Sequence, residues 1–163
     1  MTRYIGLDPS TKTGIVILDE KGNVILEKEI TTTIKAEPNR FMDIANQVLK
    51  HIKKDDKVCI EGFSYGSRGR GVSTQYGIGW IIRALLVKGN INYTEVTPGQ
   101  LKKFATGKGN TSKDNMILPI FKRWGYEHDS DNVRDAYVLA QIGRAIDSKD
   151  DLTKFQKEVL SAL

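Results

Sequence analysis

Asp8, Glu61, Asp131 and Asp135 are the side chains whose setting suggests chemistry. Asp8 ends the apolar run Tyr4-Ile5-Gly6-Leu7 and is followed by Pro-Ser-Thr-Lys-Thr-Gly. Glu61 ends a second apolar run, Val58-Cys59-Ile60. Carboxylates at the carboxyl ends of two apolar strands project into the crevice where open α/β sheets bind ligands. The third source is "HDSDNVRDAY", where Asp131 and Asp135 are four apart and Asn132 and Asp135 three apart. Both spacings share one helical face. Carboxylates gathered in a partly dry site repel unless a cation lies between them. Hard oxygen donors without histidine or cysteine point to magnesium or manganese. Taken singly, each acid has a plainer explanation. Asp8 would start an Asx-turn, Glu61 would pair with a loop arginine, and Asp129 or Asp131 would cap a helix. Asp135 lies past the first helical turn, where no cap explains it.

These acids need elements to carry them. Residues 3–8, 13–18 and 23–30 read as three strands joined by short turns, an antiparallel meander. Residues 38–53 read as a helix, with Phe41, Ile44, Ala45, Val48, Leu49 and Ile52 recurring at three and four. Residues 57–61 follow as a strand parallel to the first. Residues 76–89 form an apolar helix around Trp80-Ile81-Ile82, either core or a face against a second copy, and 91–96 a fifth strand. Further helices are expected at "TPGQLKKFA", at 112–125 with Ser112 as cap and a bend at Pro119, at 131–146, and in the tail from 151. The order predicts one α/β domain over residues 1–163, a mixed five-stranded sheet flanked by helices.

Length and composition agree with a single globular domain. The 163 residues are 39% apolar and 28% charged, which argues against a disordered chain. No apolar run reaches the roughly 20 residues of a membrane span, and no secretory signal is evident, so a cytoplasmic location is expected. Cys59, the single cysteine, sits in an apolar run and reads as core. The net charge is +5, and its distribution is uneven. Residues 62–76 carry Arg68 and Arg70 without an acid, and residues 97–113 carry Lys102, Lys103, Lys108 and Lys113 without an acid. These stretches sum to +6, leaving the rest of the chain at −1. Both are rich in glycine and hydroxyls, a composition suited to phosphate contact.

Together these segments resemble the RuvC family of Holliday-junction resolvases, most closely its short phage-type members. The likeness runs from Tyr4 to about Ile146. "IGLDPSTKTGIVIL" is similar to the family's first motif and "CIEGF" to its second. "TPGQLKKFATGKGNTSKD" is similar to its basic segment, and "DNVRDAYVLA" to its last motif, usually two acids three apart. The resemblance implies an RNase H-like fold, a homodimer and divalent metal. Asp8, Glu61, Asp135 and Asp131 would be ligands, with Asn132 an alternative where the family has its other acid. Phe63 and Tyr65 would meet DNA beside Arg68 and Arg70. Lys102 or Lys103, with Lys108, would contact phosphates, and Lys113 would also serve catalysis.

The implied reaction is paired nicking of branched DNA, leaving 5′-phosphate and 3′-hydroxyl ends. Two magnesium ions, replaceable by manganese, would support an in-line displacement. If phage-encoded, the protein would act in the cytoplasm of a bacterial host. Three other readings compete. A sugar-kinase-like fold would need two domains. A related nuclease would cut hybrids or flaps. A non-catalytic junction-binding protein would lack the acids.

Overall fold

The computed structural model describes residues 1–69 and 71–163; the expectation for Arg70 lies outside the described residues. Five strands are formed, β1 (Tyr4–Asp8), β2 (Thr13–Leu18), β3 (Val24–Ile30), β4 (Lys57–Glu61) and β5 (Tyr93–Val96). Their order is β3-β2-β1-β4-β5. β2 runs antiparallel to both β1 and β3, while β1, β4 and β5 run parallel. The helices are α1 (Asn39–Lys50), α2 (Gly71–Lys88), α3 (Pro98–Thr106), α4 (Ile117–Trp124), α5 (Asp131–Ser148) and α6 (Lys154–Ser161).

Strand residues alternate between two cores, as the period of two requires. Ile5, Leu7, Ile15, Ile17, Val58 and Ile60 face α1 and α2. Tyr4, Val16, Leu18 and Cys59 face the opposite side, where α5 supplies Ala136, Leu139, Ala140 and further apolar residues. Both sides are covered, so β1 and β2 are buried along their whole length.

The contact between α5 and the sheet is unusually close. A Cβ on Gly6 would lie 1.8 Å from the Ala136 carbonyl oxygen, and one on Gly14 would lie 2.1 Å from the Asn132 carbonyl oxygen. Any side chain at either glycine would therefore push the helix off the strands. The start of α5 is fixed by Ser130, whose hydroxyl accepts from the Val133 N–H. This removes Asp129 and Asp131 as caps.

Several boundaries differ from those read in the sequence. α2 begins at Gly71, five residues earlier than expected, because the glycine-rich stretch is absorbed into the helix. The expected helix over 112–125 is divided into a short 3-10 turn, Asp114–Met116, and α4. Ser112 provides no side-chain cap. Pro119 lies in the first turn of α4, where its missing N–H breaks no helical bond, and the expected bend has no cause there. Thr97 and Thr153 begin α3 and α6 with reciprocal capping boxes to Gln100 and Gln156.

Candidate active site

β1 and β4 are neighbours and end at the same edge of the sheet, so Asp8 and Glu61 emerge side by side. α5 crosses β1 at Gly6 and brings Asp135 to the same place. One carboxylate oxygen from each of Asp8, Glu61 and Asp135 lies within 4.8 Å of the others. Oxygens sharing one six-coordinate magnesium lie roughly 3–4 Å apart, so the cluster is on the scale of a common cation. Asp8 is buried, while Glu61 and Asp135 are partly accessible, so the site opens on one side. Asp8 and Glu61 also line a small cleft with Pro9, Gly62, Phe63, Gln75 and Arg83.

The plainer explanations of the acids do not hold. The turn after Asp8 is closed by other groups: Thr13 Oγ1 donates to the Ser10 carbonyl at 2.6 Å and accepts from the Ser10 N–H. Glu61 has no loop arginine as partner among the described residues. Arg83 donates to its backbone carbonyl but pairs with Glu95.

The electrostatics show what the cluster lacks. Burial pushes the Asp8 carboxyl well above the ordinary carboxylate range, and the charge of Glu61, a shared hydrogen bond with it, and Asp135 add to the effect; Lys113 opposes it. Burial likewise pushes Asp135 up to about 7, with Glu61 adding to the rise and Lys113 opposing it. Lys113 offsets only part of this rise, and a bound cation would favour the ionised forms of Asp8 and Asp135. An all-oxygen, electron-rich pocket of this kind suits a hard divalent cation.

Asp131, expected as a further ligand, is not one of the three acids that meet, although its charge acts on Asp135. Its carboxylate accepts a hydrogen bond from Lys113 Nζ, which lowers its pKa and raises that of the lysine. The helical spacing was read correctly, but it does not reveal a lysine 18 residues earlier in the chain that claims the side chain. Asn132 is partly buried, and its backbone carbonyl abuts Gly14. Lys113 therefore stands at the rim, tied to Asp131 and acting on Asp8 and Asp135 through its charge.

The basic segments divide. Arg68 lines a cleft with Ser10, Thr11, Arg40 and Gln75, adjoining the acids through Gln75. Lys103 is committed to Glu158 of α6 at 2.9 Å. Lys102 is half-buried on α3, and Lys108 is exposed beyond its end. The aromatic pair also divides. Tyr65 is 76% exposed, but Phe63 is 8% exposed, so its ring is not offered for stacking in this conformation. Phe63 is covered by Tyr65, Tyr76 and Trp80, with centroids 6.1, 4.9 and 5.0 Å away. Sequence reasoning missed Arg83, whose guanidinium lies 4.3 Å from the Phe63 ring centre. Its signal was available: one charge within the apolar run "WIIRALLV" must find partners if that run is buried.

A five-stranded mixed sheet in which β1, β2 and β3 form an antiparallel meander and β4 and β5 run parallel to β1, covered on both faces by helices, with acids at the ends of β1 and β4 and on the crossing helix, defines an RNase H-like domain. Solved structures share the fold, two RuvC structures among them. Thermus thermophilus RuvC superposes with a TM-score of 0.70 at 16% identity, covering 85% of this chain and 90% of that one. The structure of T. thermophilus RuvC in complex with Holliday junction substrate gives 0.67 at 22% identity, covering 86% and 91%. No family model matches the chain. A crossover junction endodeoxyribonuclease RuvC from Campylobacter hominis is 30% identical over 149 residues, spanning 85% of this chain and 92% of the relative. The chain belongs to the RuvC family.

Proposed function

We propose that the protein is a metal-dependent, structure-specific endonuclease that resolves four-way DNA junctions by paired nicks, leaving 5′-phosphate and 3′-hydroxyl ends. The observation that carries this reading is the convergence of Asp8, Glu61 and Asp135 beside a lysine, at the opening of a sheet edge flanked by basic segments. Membership of a family whose relatives are named for this activity supports it.

Asp8, Glu61 and Asp135 would hold the cations, two magnesium ions with manganese able to substitute. When bound, these ions supply a water nucleophile at neutral pH and stabilise charge on the phosphate oxygens. The chain's own residues do the rest. Asp8, the buried acid of the three, would be the innermost of these ligands. Glu61 and Asp135 flank it on separate elements. Lys113, held by Asp131, is preorganised to offset charge on the scissile phosphate. Arg68, Lys102 and Lys108 position the backbone of the DNA without reading its sequence. Tyr65 is the ring available for stacking on a base unpaired at the crossover. Work on DNA would place the protein in the cytoplasm, bacterial if the gene is a phage's. No described helix is long and apolar enough to cross a membrane.

A four-way junction has near two-fold symmetry, so two opposed cuts call for a two-fold dimer. α2 offers the surface. Ile78, Ile82 and Leu86 enter the core, while Trp80 and Val87 stay exposed on the far side. The deciding experiment incubates purified protein with fixed junction, flap, RNA–DNA hybrid and plain duplex, with magnesium and then with chelator. Symmetric, magnesium-dependent nicks confined to the junction are expected. Preferential cutting of hybrid or flap would assign a different substrate, and binding without cutting would assign a silent junction binder.

A further inference from the structure

Arg83 is 2% exposed, the largest fully buried side chain among the described residues, and it lies outside the chemistry described so far. A guanidinium in such a place is tolerated only if its N–H groups are used. Its Nε donates to Glu95 Oε1 at 2.6 Å, reaching β5. Its Nη1 donates to the Gly79 carbonyl, one turn back in α2, at 3.0 Å. Its Nη2 donates to the Glu61 carbonyl at 3.1 Å.

The last contact bears on the acidic site. Glu61 is the final residue of β4, where a strand is free to fray. The peptide unit that follows it consists of the Glu61 carbonyl and the Gly62 N–H. Arg83 holds the first, and the Val96 carbonyl holds the second at 2.7 Å. That peptide plane is clamped from both sides, which fixes the backbone from which the Glu61 carboxylate projects. Gly79 provides separate evidence that space is reserved for this arrangement. A Cβ there would lie 2.5 Å from the Phe63 ring and 3.1 Å from Arg83 Nη1.

We propose that Arg83, locked by Glu95 and stacked on Phe63, is a positioning residue that sets the direction of the Glu61 carboxylate and thereby the cation affinity of the site. It touches the backbone of Glu61 and takes no part in the reaction itself. The proposal rests on the reading of Glu61 as a cation ligand. It does not depend on which DNA is cut.

The test compares wild type with Arg83→Lys and Glu95→Gln. Manganese affinity is measured by calorimetry on protein without DNA, alongside unfolding temperature and magnesium-dependent single-turnover cleavage. Arg83→Lys keeps the charge but cannot serve three acceptors in fixed directions. It should weaken manganese binding about tenfold, as loss of groups that orient metal ligands commonly does. Its cleavage rate should fall at limiting magnesium and recover at high magnesium, with junction affinity in chelator unchanged. Glu95→Gln should shift manganese affinity in the same direction by a smaller factor, and it decides the matter if Arg83→Lys does not fold. A lower unfolding temperature with unaltered manganese affinity and magnesium dependence would overturn the proposal and leave Arg83 a rivet between α2 and β5. Manganese binding by wild type without cutting would refute only the nuclease reading. No manganese binding by wild type would refute both.

Discussion

With cations removed by chelator, Asp8 and Asp135 work against the fold. Each has a carboxyl that the native state prefers protonated, because ionisation there is opposed by burial and by neighbouring acids. The sign follows from proton linkage. Between the unfolded value of 3.8 and the folded value of about 7, the native form of Asp135 binds more protons than the unfolded chain. Its contribution to stability therefore falls as pH rises through that window. Metal-free protein should melt at progressively lower temperature from pH 5 to pH 7.5, and Asp135→Asn should flatten that slope in a calorimetric scan. Asp8→Asn should abolish junction nicking by at least about a hundredfold while leaving gel-shift affinity intact. In chelator it should also raise the unfolding temperature, by about 2–4 °C for each kcal/mol of repulsion relieved. Equal loss of binding and cutting would make Asp8 structural instead. Lys113→Ala should slow single-turnover cleavage far more than it weakens binding, on the order of a hundredfold. Asp131→Asn removes the charge of the contact and leaves an amide oxygen as a weaker acceptor for the lysine, and a smaller loss of rate is expected in the same assay.

At the level of elements, the site depends on how closely α5 approaches β1. Gly6 and Gly14 are the places where that approach happens. Gly6→Ala would drive a methyl into the Ala136 carbonyl, next to Asp135, and the backbone has no rotamer with which to yield. The loss of stability should reach or exceed the upper end of the ~1–3 kcal/mol usual for overpacking, measured by urea unfolding. Manganese affinity should fall with it, since Asp135 moves with the helix. Much of this frame was legible in the sequence, because strands with two buried faces read as apolar runs and their terminal acids stand out. The pairings across elements were not legible. Lys113 with Asp131, Lys103 with Glu158 and Arg83 with Glu95 join side chains that only the fold brings together. The start of α2 was missed for a different reason. Glycine and serine favour loops locally, and the buried residues that hold the helix against α1 come later in it.

For the molecule as a whole, the proposed paired cuts in one binding event call for two copies acting together. Trp80 is 56% exposed and Val87 64%, about two turns apart on the outer side of α2. Trp80→Glu is expected to convert a dimer into a monomer in sedimentation velocity. On a plasmid with an extruded cruciform it should shift products from linear, made by two cuts in one binding event, to singly nicked circles. Unchanged sedimentation would move the interface elsewhere. The buried Phe63 shows where sequence reading reached its limit: the segment was recognised, but which ring turns inward depends on Tyr76, Trp80 and Arg83 packing over it. Cys59 has a practical consequence. Its thiol is 2% exposed against Gly143, and burial pushes its pKa to about 12. Thiolate is the form that reacts with maleimides, so the native chain should remain unlabelled by dyes at neutral pH. A cysteine introduced at Tyr65 would then be the sole attachment point for a fluorophore, and energy transfer to a labelled arm could report DNA opening in real time.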